Sequence, residues 1–281
     1  MLLQRFIKKI GRFHGRSFFL FQLQGGRVIT IKRPHEIEKM RQAGEVAADI
    51  LNELASRIAP GVTTGQIDHA AAQLMSAAGV RSAFLGYKKF PGHICISLNE
   101  EVVHGIGSSR AIAYGDIVKM DVGIIRDGWI GDNATSVAVG IIDPEVERLL
   151  TVTEEILNGA VQLARPGHRV GDISNFVETQ AVKNGFSVVR EFVGHGVGRK
   201  LHEDPQVPNF GKRGSGPKLK AGMTLAIEPM INMGRAEVKV LADKWTAVTA
   251  DGLPSAHFEH TVLITDHAPE VLTWPRKTLS K

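Results

Sequence analysis

Two aspartates, Asp121 and Asp132, stand inside the stretch KMDVGIIRDGWIGDNATSVAV, from Lys119 to Val139. Asp127-Gly128 sits between alternating apolar runs, which is the pattern of a two-residue β-hairpin. Each strand of that hairpin then carries one acid among apolar neighbours, against strand propensity. A lone strand aspartate is ordinarily explained by a solvated face or a turn. Burying a carboxylate is costly unless a cation pairs with it. Two that face each other would repel unless a metal lay between them, and three more candidate ligands follow downstream: His195, Glu228 and Glu259. His195 lies in Gly194-His-Gly-Val-Gly198, where glycines permit close backbone approach. Glu228 ends an apolar run and precedes Pro229; Glu259 opens one in Phe258-Glu-His260. Four carboxylates and one imidazole suit first-row divalent ions or Mg²⁺ better than a thiolate zinc site does. They exceed the need of one ion, and two ions about 3.5–4 Å apart, bridged by carboxylates, would neutralise them. His104, in NEEVVHG, and His202, shortly after His195, are placed for chemistry beside such a centre.

The elements that must position these groups can be read from local signals. Pro34 at a first-turn position opens a helix of about 24 residues, with Ile37, Met40, Ala47, Ile50, Leu51 and Leu54 on its apolar face. Pro60-Gly61 stops it. Thr63 or Thr64 caps a second helix that ends before Gly79. Asp143-Pro144 opens a third through Leu163, and Gly171 precedes a fourth that ends at Gly185. Strands are expected at Ile94–Leu98, Met223–Ile227, Trp245–Thr249 and Phe258–Ile264, with short runs after Gly185. An internal repeat is visible. Ile50-Leu51-Asn52 matches Ile156-Leu157-Asn158, and Pro60-Gly61, Gly65, Ile67 and Gly79 match Pro166-Gly167, Gly171, Ile173 and Gly185, all at an offset of 106. Two such halves imply a pseudo-symmetric α+β domain with a site between them.

Composition narrows the class. A chain of 281 residues, 43% hydrophobic and 22% charged, can bury a sizeable core. Its single cysteine, Cys95, rules out an internal disulfide framework and fits a reducing compartment. No apolar run approaches the roughly 18 residues of a membrane span. The net charge of +5 is concentrated at one end: residues 1–27 hold Arg5, Lys8, Lys9, Arg12, Arg16 and Arg27 and no acid, and removing those six charges from +5 leaves −1. Residues 1–30 therefore read as a basic N-terminal arm and residues 31–281 as the catalytic domain.

The stretches NEEVVHG, KMDVGIIRDGWIGDNATSV, GHGVGRKLHEDPQVPNF, LAIEPMIN and FEHTVLI resemble type I methionine aminopeptidase, from about Ile31 to about Thr265. The resemblance implies the pita-bread fold, two pseudo-symmetric α+β halves with a central antiparallel sheet and helices outside. It implies removal of the initiator methionine from nascent proteins and peptides that carry a small second residue, by attack of a metal-activated hydroxide on the first peptide bond. Asp121, Asp132, His195, Glu228 and Glu259 match the family's ligands to two divalent metal ions (Co, Mn, Fe, Zn or Ni). His104 and His202 match its catalytic histidines, with Glu228 as proton shuttle. The methionine pocket is similar to Phe84, Tyr87, Phe90, Cys95, Leu201 and Trp245 here. Phe84 stands where the family often has cysteine, Phe90 where it often has tyrosine, and Leu201 where an aromatic is frequent; all stay apolar. A cytoplasmic monomer is expected, with the arm as a tether to the ribosome or an organellar targeting segment. The alternatives are a prolidase or Xaa-Pro aminopeptidase of the same fold, and a pseudoenzyme binding ribosomes or nucleic acid. The latter would have lost ligands, and none of the five is lost.

Overall fold

The computed structural model describes residues 28–274. Residues 1–27 of the expected arm, and the last seven of the chain, lie outside the described residues.

Among the described residues four α-helices form close to where the local signals put them. Helix α1 (Pro34–Ser56) begins with Pro34, whose missing N–H would have had no intrahelical partner. It buries Met40, Ala43, Ala47, Ile50, Leu51 and Leu54. Helix α2 (Thr64–Ala77) is closed by a capping box: Thr63 Oγ1 accepts from the Gln66 amide while Gln66 accepts from the Thr63 amide. Helix α3 (Pro144–Gln162) is capped by Asp143, which accepts from the Glu145 amide at 2.8 Å. Helix α4 (Val170–Lys183) starts earlier than expected. Asp172 accepts the Arg169 amide at 2.7 Å and so draws Gly171 into the first turn.

The repeat is structural. Gly61 and Gly167 take φ of 87° and 93°, and Gly79 and Gly185 take 67° and 79°, left-handed values that favour glycine. Thr64 and Gly65 donate to the carbonyls of Arg110 and Ser108; Val170 and Gly171 donate to those of Pro217 and Ser215. Ile67 belongs to one apolar core and Ile173 to a second. Each half thus folds a helix pair over its own core, giving the expected pseudo-symmetric α+β domain.

An antiparallel nine-stranded sheet joins the halves. Its path runs Arg81–Ser82, Ile117–Arg126, Trp129–Ala138, Glu259–Leu263, Thr224–Ile227, Gly194–Gly196 and Glu203–Val207, with Cys95–Leu98 also on Ile117–Arg126 and Glu270–Val271 on Glu259–Leu263. The hairpin turn is the two-residue one expected: Arg126 pairs with Trp129, and Asp127 and Gly128 take φ of 51° and 79°. Helix α1 lies against the hairpin face opposite to Asp132. A Cβ at Gly131 would strike the Ala43 carbonyl, so only glycine admits the helix backbone there. The expected strand at Trp245–Thr249 shortens to Ala247–Thr249, because Asp243 takes the amides of Trp245 and Thr246 into a turn.

Candidate metal centre

Strand alternation places all the proposed ligands on one face of the sheet. Asp121 pairs with Ala134, two residues from Asp132 and so on its side of the strand. Glu259 pairs with the same Ala134 from the next strand. His260 pairs with Ile227, so Glu228 follows beside Glu259, and His195 pairs with Ala226. Four strands of the sheet each contribute one group, and Glu228 directly follows a fifth that lies between them. The His195 segment reads as a loop from its glycines, yet it forms the strand Gly194–Gly196. A Cβ at Gly194 or Gly196 would press on the carbonyls of Ala226 or Asp204, so the glycines let the flanking strands close on the histidine.

The geometry is that of a cation site. One ligand atom each from Asp132, His195 and Glu259 falls within 4.8 Å of the others. His195 Nε2 lies 3.9 Å from Asp132 Oδ2 and 3.5 Å from Glu228 Oε1. The Gly196 carbonyl can only accept, so the 2.9 Å contact places the proton of His195 on Nδ1 and leaves the Nε2 lone pair facing the acids. Asp121 Oδ1, Asp132 Oδ1 and Glu259 Oε1 are buried without a hydrogen-bond partner. Burial pushes the Asp121 carboxyl up to about 7, with Glu228 adding to the rise and His257 opposing it. Burial raises Glu228 to about 7 as well, against the pull of His195. Asp132 and Glu259 are raised well above the usual range, by burial first and then by the other acids of the cluster. Buried, unpaired, mutually repelling carboxylates beside an imidazole lone pair fit divalent cations.

Around this centre stand the other expected residues. His104 has φ of 62°, a left-handed value uncommon for a residue with a side chain and frequent at functional sites. Its ring meets Phe192 and Trp245 edge-on, at centroid distances of 5.1 and 6.3 Å. Burial lowers its pKa to about 4. The His202 ring lies 4.3 Å from that of His195, and its Nδ1 is 2.8 Å from the Tyr87 hydroxyl. His202 reaches solvent, yet its pKa is lowered by desolvation and then by His195. Phe84, Phe90, Cys95 and Leu201 share one apolar cluster, with Tyr87 and Trp245 packed on it. Phe90 meets Trp245 edge-on at 5.1 Å. Phe84 covers Gly123 on the acid-bearing face, and Cys95 pairs with Asp121.

A model of metallopeptidase family M24 matches residues 38–266, and the chain belongs to that family. The methionine aminopeptidase of Clostridium perfringens is 48% identical over 246 residues, which cover 88% of this chain and 99% of that protein. The crystal structure of methionine aminopeptidase from Thermotoga maritima matches with a TM-score of 0.86 at 46% identity, over 88% of this chain and 99% of that one. Within the family the chain therefore falls with the bacterial type I methionine aminopeptidases, and its fold is the pita-bread fold that the resemblance implies. A prolidase from Pyrococcus horikoshii shares the fold at a TM-score of 0.71 and 22% identity, over 89% of this chain and 65% of that one.

One buried residue at the centre escapes the reading of the sequence. His257 Nε2 lies 3.6 Å from Glu228 Oε2. The signal was available: His257 precedes Glu259 by two, and side chains two apart in extended chain share a face.

Proposed function

We propose that this chain is a metal-dependent methionyl aminopeptidase that removes the N-terminal methionine from nascent proteins and peptides, preferring a small second residue. The observation that carries the reading is the single sheet face on which four carboxylates, Asp132 and Glu259 buried and Asp121 and Glu228 half-buried, converge with His195, beside an apolar wall that two histidines flank. Asp121, Asp132, His195, Glu228 and Glu259 would hold two divalent ions, drawn from Co, Mn, Fe, Zn or Ni. Bound ions of this kind supply an activated water and a Lewis acid for amide hydrolysis.

The chain's own groups do the rest. Glu228 moves the proton from the attacking water toward the leaving amine. The Tyr87 hydroxyl, donating to His202 Nδ1, leaves the proton of His202 on Nε2. From there it donates to the scissile carbonyl oxygen as charge develops. His104 contacts the scissile amide nitrogen. Tyr87, Phe90, Cys95, Leu201 and Trp245 receive the methionine side chain. The protein acts in the cytoplasm as a monomer, and the six positive charges of residues 1–27 tether it to ribosomal RNA near emerging chains.

Hydrolysis of a Met-Ala-Ser peptide by metal-reconstituted protein, beside a Xaa-Pro substrate, tests the reading. Release of methionine with little Xaa-Pro cleavage is expected. Chelation should abolish the activity and a divalent ion restore it. Full activity after exhaustive chelation, with no metal bound, would refute the mechanism, and preferred Xaa-Pro cleavage would refute the substrate.

A further inference from the structure

His257 is a buried titratable group at the centre to which none of the roles above is assigned. It is 2% exposed, and its Nε2 has no hydrogen-bond partner. Its backbone is fixed from the hairpin: Ser136 Oγ donates to the His257 carbonyl at 2.7 Å, and the His257 amide donates back to Ser136 Oγ at 3.1 Å. The strand Ser255–His257 also pairs with Met230–Asn232, so that His257 sits opposite Met230, just beyond Glu228. The backbone that carries the ring is thus held from both halves of the fold. Glu228 is bracketed by two imidazoles. Its Oε1 faces His195 Nε2 at 3.5 Å, and its Oε2 faces His257 Nε2 at 3.6 Å.

The two imidazoles cannot do the same thing. His195 carries its proton on Nδ1 and offers a lone pair at Nε2. His257 faces a carboxylate oxygen that is itself an acceptor, so its Nε2 must carry a proton to interact favourably. A separation of 3.6 Å is longer than a hydrogen bond, and a shift of about half an ångström makes it one. We propose that His257 is a positioning residue for Glu228: its Nε2–H takes Oε2 and keeps Oε1 turned toward the centre. The inference rests on the reading of Glu228 as a metal ligand. Donors behind a ligating carboxylate fix its orientation, and their loss weakens metal binding or activity by about 10–100-fold.

The test uses the full chain, stripped of metal and titrated with Mn²⁺ under equilibrium dialysis, beside steady-state hydrolysis of Met-Ala-Ser. His257→Leu should weaken Mn²⁺ binding by about 10–100-fold and lower kcat while leaving KM nearly unchanged. His257→Gln keeps an N–H donor at similar reach and should return affinity to within about threefold of the unaltered protein. Because the effect runs through Glu228, His257→Leu should add nothing in a Glu228→Gln background. Affinity unchanged in His257→Leu, a Gln variant as weak as the Leu variant, or additive losses in the double variant would each overturn the proposal. If Glu228→Gln alone bound Mn²⁺ as tightly as the unaltered protein, the ligand assignment would fall, and the inference with it.

Discussion

Asp121→Asn should stabilise the metal-free protein and destabilise the metal-loaded one, and the stabilisation should depend on pH. In the folded chain the Asp121 carboxyl rises from 3.8 to about 7, chiefly through burial. The folded state therefore holds a proton that the unfolded chain releases above about pH 4. By linkage, the stability that this group contributes is fully present below pH 4 and is lost as pH rises through 7. A rise of about three units corresponds to roughly 4 kcal/mol. Asparagine is neutral at every pH and escapes that loss, but its amide leaves a donor unpaired at a cost of about 1–3 kcal/mol. Neighbouring acids share the proton, which lowers the gain further. At pH 8 in chelator the variant should gain about 1–2 kcal/mol, or roughly 2–8 °C in melting temperature for a chain of this size. At pH 4.5 the advantage should vanish, because Asp121 is then protonated in the folded chain and little of its stability has been lost, so that the unpaired amide of asparagine outweighs what remains. With ions in excess the order should reverse, since a ligand saturated at a hundredfold over its Kd adds about 2.7 kcal/mol to the unaltered protein alone. Comparing variant with parent at each pH cancels the titration of every group that does not interact with Asp121. Calorimetric melts in chelator and in Mn²⁺, from pH 4.5 to 8, provide the measurement. A chelated variant that melts below its chelated parent at pH 8, or a difference that does not shrink on acidification, would refute the reasoning.

The two site histidines should separate cleanly: His202→Ala lowers kcat by roughly 10²–10³-fold with metal content unchanged, whereas His195→Ala loses metal, as dialysis against Mn²⁺ will report. If the methionine side chain meets Phe90, Trp245 and Leu201, norleucine should replace it well, because one methylene is worth only about 1–3 kcal/mol. Comparable kcat/KM for N-terminal Met and Lys would contradict that wall. Gly131→Ala, which sets a Cβ against the Ala43 carbonyl, should lower stability by about 1–3 kcal/mol; an unchanged melting temperature would mean that α1 does not pack as described. Deleting residues 1–27 should leave peptide hydrolysis intact and remove salt-sensitive ribosome co-sedimentation; equal co-sedimentation across a salt series would dismiss the tether.

What was legible in the sequence is what is decided locally. Pro34, Thr63, Asp143 and the Asp127-Gly128 turn each act within a few residues, and each does what its chemistry demands. The acids were legible for the opposite reason: Asp121 and Asp132 violate their local context, and only a distant partner explains them. What stayed hidden depends on register. Nothing near Gly194-His-Gly196 announces that two neighbouring strands will close on it, and His257 gains meaning only when its strand lies beside Glu228.

The repeat itself shows where local reading stops. In the helices it is spelled in glycines, because a left-handed turn has almost one solution. In the strands the halves match in place but not in letter. Ser108 and Ser215, which receive equivalent backbone bonds, are 107 apart, one more than the offset of the helices. Asp121 and Glu228 are also 107 apart, each the fifth residue counted from the start of its strand, at Ile117 and Thr224. Each half thus brings one acid to an equivalent place, Asp121 within its strand and Glu228 directly after its own. The second acid is one methylene longer, and its strand breaks at Pro229 where the first continues to Arg126. That break puts Glu228 just past a strand end, between His195 and His257. The halves are therefore alike in what they build and unlike in how they hold it: the Asp121 half supplies a group fixed within a continuous strand, and the Glu228 half a group at a strand end, bracketed by two imidazoles.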